Sequence, residues 1–172
     1  MRRMTALIGA AAVVLWATSA FAQAKPSFAG TWVRDMPAGG GAPGGGGRGG
    51  GGGGWGMECT ISQDANTLTV KWMQAGRGGG EPTPVERTYK LDGSDSKNMI
   101  AGRGGAGPTE QVSKASWDGA KLVIKTNVSF GDQSFEQTLA VSLEGGKLTL
   151  ATTNPGREGG APTTNTITYS KK

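Results

Sequence analysis

Between Trp117 and Leu150 apolar residues recur at every second position. Leu122, Ile124, Thr126, Val128 and Phe130 fall on one face, against Lys121, Lys125, Asn127 and Ser129 on the other, with Val123 as the apolar exception. After Gly131-Asp132 the alternation resumes as Phe135, Gln137, Leu139, Val141 and Leu143 against Ser134, Glu136, Thr138 and Ser142. After Glu144-Gly145-Gly146 it resumes again with Leu148 and Leu150. A period of two, punctuated by Gly and Asp, fits antiparallel strands with one buried and one wetted face and does not fit a helix.

The remaining chain repeats this meander more weakly. Ser27 to Arg34 reads as a first strand with Phe28 and Trp32 on one face. Met57 to Ser62 and Thr67 to Gln74 read as a hairpin around Gln63-Asp64-Ala65-Asn66, with Leu68, Val70 and Trp72 inside. Val85 to Leu91 alternates Val85, Arg87, Tyr89, Leu91 before the turn residues Asp92-Gly93-Ser94-Asp95. Asn98 to Ala101 is a short strand and Glu110 to Trp117 another, where the opposite parity of Val112 and Trp117 predicts a bulge. Thr163 to Lys171 closes the chain with Ile167 and Tyr169 on one face. The expectation is an all-β, antiparallel up-and-down meander of about ten strands that closes into a barrel, because long open edges invite aggregation. A two-sheet β-sandwich is the alternative.

The first residues carry different information. Arg2-Arg3 followed by an apolar run from Ala6 to Ala17, ending in Ala20-Phe21-Ala22 or Ala22-Gln23-Ala24, has the layout of a secretory signal peptide. The run is shorter than the roughly 20 residues a membrane-spanning helix needs. The expected division is a signal peptide over 1–24 and a single domain over 25–172, with a periplasmic or secreted location and no membrane span in the mature chain. Without Arg2 and Arg3, 16 basic groups face 13 acidic ones, a net +3 that is too mild to argue for nucleic acid. Cys59 is the only cysteine, so no intramolecular disulfide forms, and its place beside Ile61 on a strand predicts a buried, inert thiol.

A low-complexity Gly-rich loop occupies 37–56, with 14 glycines between Gly39 and Gly56. Ordering such backbone is costly, and Pro43, Arg48 and Trp55 offer little in return, which predicts a mobile loop. Shorter loops repeat one pattern: Gly76-Arg77 to Pro82-Thr83, Gly102-Arg103 to Pro108-Thr109, and Gly156-Arg157 to Pro162-Thr163. In an up-and-down meander successive connections alternate between the two ends. That puts Arg48, Arg77, Arg103 and Arg157 at one end, net +1 with Glu81, Asp132 and Glu158, as the rim of an open mouth. The opposite end holds Asp64, Asp92, Asp95, Asp118 and Glu144 against Lys97, net −4. Loop arginines that merely keep the protein soluble are the plainer reading of the same count.

Much chemistry is absent. With no histidine and one cysteine, His-based triads, His zinc sites and thiolate clusters are excluded. The glycine run satisfies any glycine motif and no helix follows it, and Gly145-Gly146-Lys147 leads into Leu148, so no phosphate-binding loop exists. The carboxylates fall in turns or on wetted faces, which disfavours a paired-carboxylate glycosidase. The expectation is no enzyme, no cofactor and no metal.

Phe28-Ala29-Gly30-Thr31-Trp32, opening a meander, resembles the Gly-x-Trp start of the calycins, the lipocalins and fatty-acid-binding proteins. Trp117-Asp118-Gly119-Ala120-Lys121-Leu122-Val123-Ile124 and the Tyr-bearing last strand are similar to a group of uncharacterised exported bacterial proteins. The resemblance implies that Phe28, Gly30 and Trp32 form a barrel-base motif, that the long glycine tract sits where related barrels carry their lid, and that inward residues line a cavity. Trp72, Tyr89, Ile124, Val128, Leu139, Val141 and Leu150 are the candidates to line or fill it. The last strand departs from the family: Ile167-Thr168-Tyr169 stands where fatty-acid-binding proteins have an Arg-x-Tyr pair for the ligand carboxylate, and only Lys171 or Lys172 can lie over the Trp. The function expected is an exported, non-catalytic, lipocalin-like binding protein for a small apolar or amphipathic ligand. The alternative is a structural or interaction module with a filled barrel, whose Gly/Arg-rich loops contact a partner surface.

Overall fold

A computed structural model describes residues 25–36, 54–76, 80–101, 107–130, 133–156 and 160–172. They form ten strands: β1 (Gly30–Arg34), β2 (Glu58–Gln63), β3 (Thr67–Gln74), β4 (Thr83–Lys90), β5 (Asp95–Ile100), β6 (Thr109–Asp118), β7 (Lys121–Phe130), β8 (Gln133–Glu144), β9 (Lys147–Asn154) and β10 (Thr163–Lys171). No helix occurs among the described residues. The segment 1–24, most of the glycine tract and Arg48, Arg77, Arg103 and Arg157 lie outside them.

All ten strands belong to one sheet in the order β4-β3-β2-β1-β10-β9-β8-β7-β6-β5, so the sandwich alternative is not formed. Each pair is antiparallel, and β10 returns to pair with β1, Trp32 opposite Lys171 and Arg34 opposite Tyr169. The two ends of the sheet, β4 and β5, lie side by side without a backbone ladder. Side chains close the seam instead. The Asn98 amide accepts from Thr88 N at 2.8 Å and donates to Thr88 O at 3.0 Å, while Ser96 Oγ accepts from Lys90 N at 2.8 Å. The result is a nearly closed barrel whose edge groups are satisfied, which is why Ser96 and Asn98 are buried despite being polar.

The alternation read from the sequence fixes the register. Leu122 opposes Val141, Val141 opposes Leu150, and Leu150 opposes Ile167, giving an inward row across β7, β8, β9 and β10. Outward residues pair by charge, as Lys71 with Glu86 at 3.0 Å and Lys125 with Glu136 at 3.1 Å. Such exposed pairs contribute little, about 0–1 kcal/mol each. The inward rows hold the barrel.

Three expectations are corrected. β6 has no bulge between Val112 and Trp117: its register runs unbroken against β5 from Thr109 to Lys114 and against β7 from Ser113 to Asp118, with Ser113 and Ala115 buried inside and Val112 on the opposite face, so the parity clash was an outward valine. β5 begins at Asp95, not Asn98, so Asp95 and Lys97 belong to a strand and not to the turn. Trp55 is not part of an idle loop, for it is 3% exposed and packs in the core.

Candidate functional site

With β5 present, the connections after β1, β3, β5, β7 and β9 all leave one end of the barrel, and those after β2, β4, β6 and β8 leave the other. The second end is the sealed base. The strap before β1 crosses it, held by Gln63, whose Oε1 accepts from Phe28 N at 2.8 Å and whose Nε2 donates to Pro26 O at 3.2 Å. Phe28 stacks on Trp117 with centroids 5.7 Å apart and planes 13° apart. Trp32 Nε1 donates to Phe28 O at 2.8 Å, and Lys171 Nζ lies 5.8 Å from the Trp32 ring centroid. Gly30 has a chemical reason for its place in the Gly-x-Trp motif: φ is 137°, and a Cβ there would meet Lys171 Cε at 3.0 Å.

Above the base, the end of the glycine tract turns back against the wall. Tyr169 Oη accepts from Trp55 N at 2.9 Å and donates to Gly56 O at 3.0 Å. Both capacities of the phenol are thereby used, and burial pushes its pKa up to about 12. A Cβ on Gly54 would fall 2.7 Å from that oxygen and 2.9 Å from Ile167 Cδ1, so glycine is required by close approach. Cys59 is buried nearby, and burial pushes its thiol up to about 12, keeping it protonated and inert at neutral pH.

One belt of the inner wall is polar. Ser96, Ser113, Thr126 and Gln137 follow one another across β5, β6, β7 and β8 in register. Ser113 and Thr126 share a hydroxyl hydrogen bond of 2.8 Å, and Gln137 Nε2 donates to Asn154 Oδ1 at 2.7 Å. On the facing strands Arg87 points inward from β4, its Cζ 5.6 Å from the Trp72 ring. Its Nε is buried with no hydrogen-bond partner. Tyr89, two residues on, has its pKa raised by burial, with Arg87 opposing.

The structure divides the expected cavity residues in two. Tyr89, Ile124, Val141 and Leu150 are buried in the packed core, whereas Trp72, Val128 and Leu139 are half-buried toward the open end. Phe28 and Trp32 sit in the base with Gly30 between them. A groove of about 670 Å³ crosses β2, β3 and β4 and is lined mainly by exposed residues such as Met57, Lys71, Met73 and Glu86, together with Trp72. A second, of about 330 Å³, lies among the charged residues Asp95, Lys114, Lys125 and Glu136. Among the described residues no cluster of three or more His, Cys, Asp or Glu can hold a metal. Sequence reasoning passed over Arg87, although an arginine inside an apolar alternation was a visible signal. It also passed over the polar belt, signalled by Thr126 and Gln137 at inward parity.

No family model matches the chain, and no curated protein matches it in sequence. Among solved structures, zebrafish ileal bile acid-binding protein complexed with cholic acid superposes with a TM-score of 0.51 at 17% identity, over 84% of this chain and 98% of that one. Two point mutants of the fluorescent protein UnaG give TM-scores of 0.45 and 0.44 at 24% and 22% identity, over 67% and 66% of this chain and 70% of each of theirs. The likeness is one of fold: ten antiparallel strands wound into a nearly closed barrel.

Proposed function

We propose that this chain is an exported, non-catalytic binding protein that holds a small apolar or amphipathic molecule in the open half of its barrel. One observation carries the reading. Phe28 and Trp32 close the base and are buried, with Trp117 and Leu143 half-buried beside them, whereas at the other end the inward residues Trp72, Val85, Arg87, Val128 and Leu139 all stay partly accessible to solvent. A protein whose barrel served only as a scaffold has no need for that asymmetry. The bile acid-binding protein of the same fold, crystallised with cholic acid, shows that such a barrel accommodates an amphipathic guest. Export rests on the signal-peptide layout of residues 1–24.

Trp55 favours a second reading, in which the barrel is filled by its own side chains and the loops meet a partner surface. The connections that carry Arg48, Arg77, Arg103 and Arg157 all leave the open end, so those loops would present guanidinium groups to anionic partners. Native mass spectrometry of the protein purified from its own host separates the two. A co-purifying small molecule is expected. Bare mass, together with no saturable binding of an environment-sensitive apolar dye, refutes the binding reading and leaves the second.

A further inference from the structure

Methionine is distributed in this protein against its usual habit, which is to fill gaps in a core. The core cluster contains none. The four methionines among the described residues, Met36, Met57, Met73 and Met99, are all exposed, from 41% to 61%. Each stands at or beside a strand end directed to the open end: after β1, before β2, and near the ends of β3 and β5. Two of them, Met57 and Met73, line the groove of about 670 Å³ that crosses β2, β3 and β4. Their backbones are fixed next to each other. Cys59 lies opposite Trp72, which sets Met57 and Met73 one diagonal step apart at the end of that ladder. Met57 O accepts from Arg34 N at 2.8 Å. Gly56, with φ 71°, approaches so closely that a Cβ there would fall 2.9 Å from Trp72 Cδ1 and 3.2 Å from Met73 O.

We propose that Met57 and Met73 form a site for a soft monovalent cation, Cu(I), held in this groove by their two thioether sulfurs. The assignment does not depend on the barrel holding a guest. Thioethers favour Cu(I), whereas Mg, Ca and Mn prefer carboxylate, carbonyl and water oxygens. The hard donors of the groove are already engaged, Glu58 by Lys172 at 3.0 Å and Glu86 by Lys71 at 3.0 Å. Lys71 in the groove and Arg87 over the Trp72 ring also repel a divalent ion more strongly than a monovalent one. Cys59 contributes to the wall but is 1% exposed, so the accessible sulfurs are the two thioethers.

The test uses the full chain, labelled with carbon-13 at the methionine methyls and titrated in chloride-free buffer with Ag(I), the redox-inert counterpart of Cu(I). The Met57 and Met73 signals, identified from Met57→Leu and Met73→Leu, are expected to shift together and to saturate with a single bound ion. Met36 and Met99, comparably exposed but outside the groove, are expected to stay in place. The double variant Met57→Leu/Met73→Leu conserves volume at exposed positions and should melt as wild type does. It is expected to bind Ag(I) at least about tenfold more weakly. Cys59→Ala should keep both shifts, and Zn(II) at the same concentration should produce neither. Parallel shifts of all four methyls would show adventitious capture by exposed thioethers only. That result would overturn the assignment, as would a shift confined to one of the pair, no shift at either, unchanged affinity in the double variant, loss of binding in Cys59→Ala, or an equal response to Zn(II).

Discussion

Trp55 gives the sharpest test of how the glycine tract is used. Its ring is 3% exposed, so nearly all of a side chain that buries roughly 150–250 Å² is withdrawn from water. At about 25 cal/mol per Å² that burial is worth ~4–6 kcal/mol. An unfolded chain already hides some of this surface, which lowers the figure to about 3–5 kcal/mol, the usual range for Trp→Ala in a core. Trp55→Ala is therefore expected to lower the melting temperature by roughly 6–20 °C for a domain of this size. Far-ultraviolet circular dichroism is the appropriate assay, because it does not depend on the fluorophore being removed.

The comparison that gives the number meaning is deletion within residues 39–53. Loop-closure entropy changes by only ~0.6 kcal/mol per doubling of length, so cutting the connection to about a third shifts stability by about 1 kcal/mol. Gly54 must be kept, since a side chain there would strike Tyr169 and Ile167. The two variants are expected to behave oppositely, the deletion nearly silent and the single substitution severe. A Trp55→Ala protein that melts within about 2 °C of wild type would refute the claim that this residue is a structural plug.

Other consequences are independent of the plug. Asn98→Ala removes both bonds to Thr88 and leaves the seam open, an expected loss of about 2–3 kcal/mol by urea titration, with faster amide exchange at Thr88. Burial raises Cys59 from 9.0 and Tyr169 from 10.0, each to about 12, and also raises Tyr89. The folded state thus holds these protons more tightly than the unfolded chain. Their stabilising effect is full below about pH 9 and is lost as pH rises toward 12, so the urea midpoint should fall in that window. Cys59→Ala should delay the onset of that fall to about pH 10, where unfolded tyrosine begins to ionise.

The parts of this fold that could be read from sequence are those governed by local alternation. β7, β8 and β9 announce themselves because each inward residue is apolar near the base, and solvent tolerates only polar residues outside. β5 was hard to place for the opposite reason. Ser96 and Asn98 point inward not to fill a core but to replace a missing ladder with β4, and that need arises from a strand distant in pairing order. The supposed bulge in β6 came from reading Val112 as inward, when one outward valine costs little. Trp55 was hidden by its surroundings: a glycine tract gives no periodicity against which a single buried aromatic stands out. Arg87 was legible as an anomaly, but its place over the Trp72 ring is a three-dimensional fact.

The interior is sorted along the barrel axis, and that sorting constrains the guest. Near the base the row Leu122, Val141, Leu150 and Ile167 is apolar and sealed. Toward the mouth the polar groups satisfy one another in pairs, Ser113 with Thr126 and Gln137 with Asn154. Pairs that are already satisfied need no ligand to complete them. They do resist a purely hydrocarbon guest, because each amide or hydroxyl has further hydrogen-bonding capacity that a hydrocarbon cannot meet. A guest with its own polar groups along one side avoids that loss. Replacing Gln137 and Asn154 together by leucine, which removes both partners at once, should be tolerated with little change in stability. It should also raise affinity for an uncharged hydrocarbon probe by several-fold. If the double variant binds the hydrocarbon no better than wild type, the polar belt does not face the guest, and the ligand must sit against β2, β3 and β4 alone.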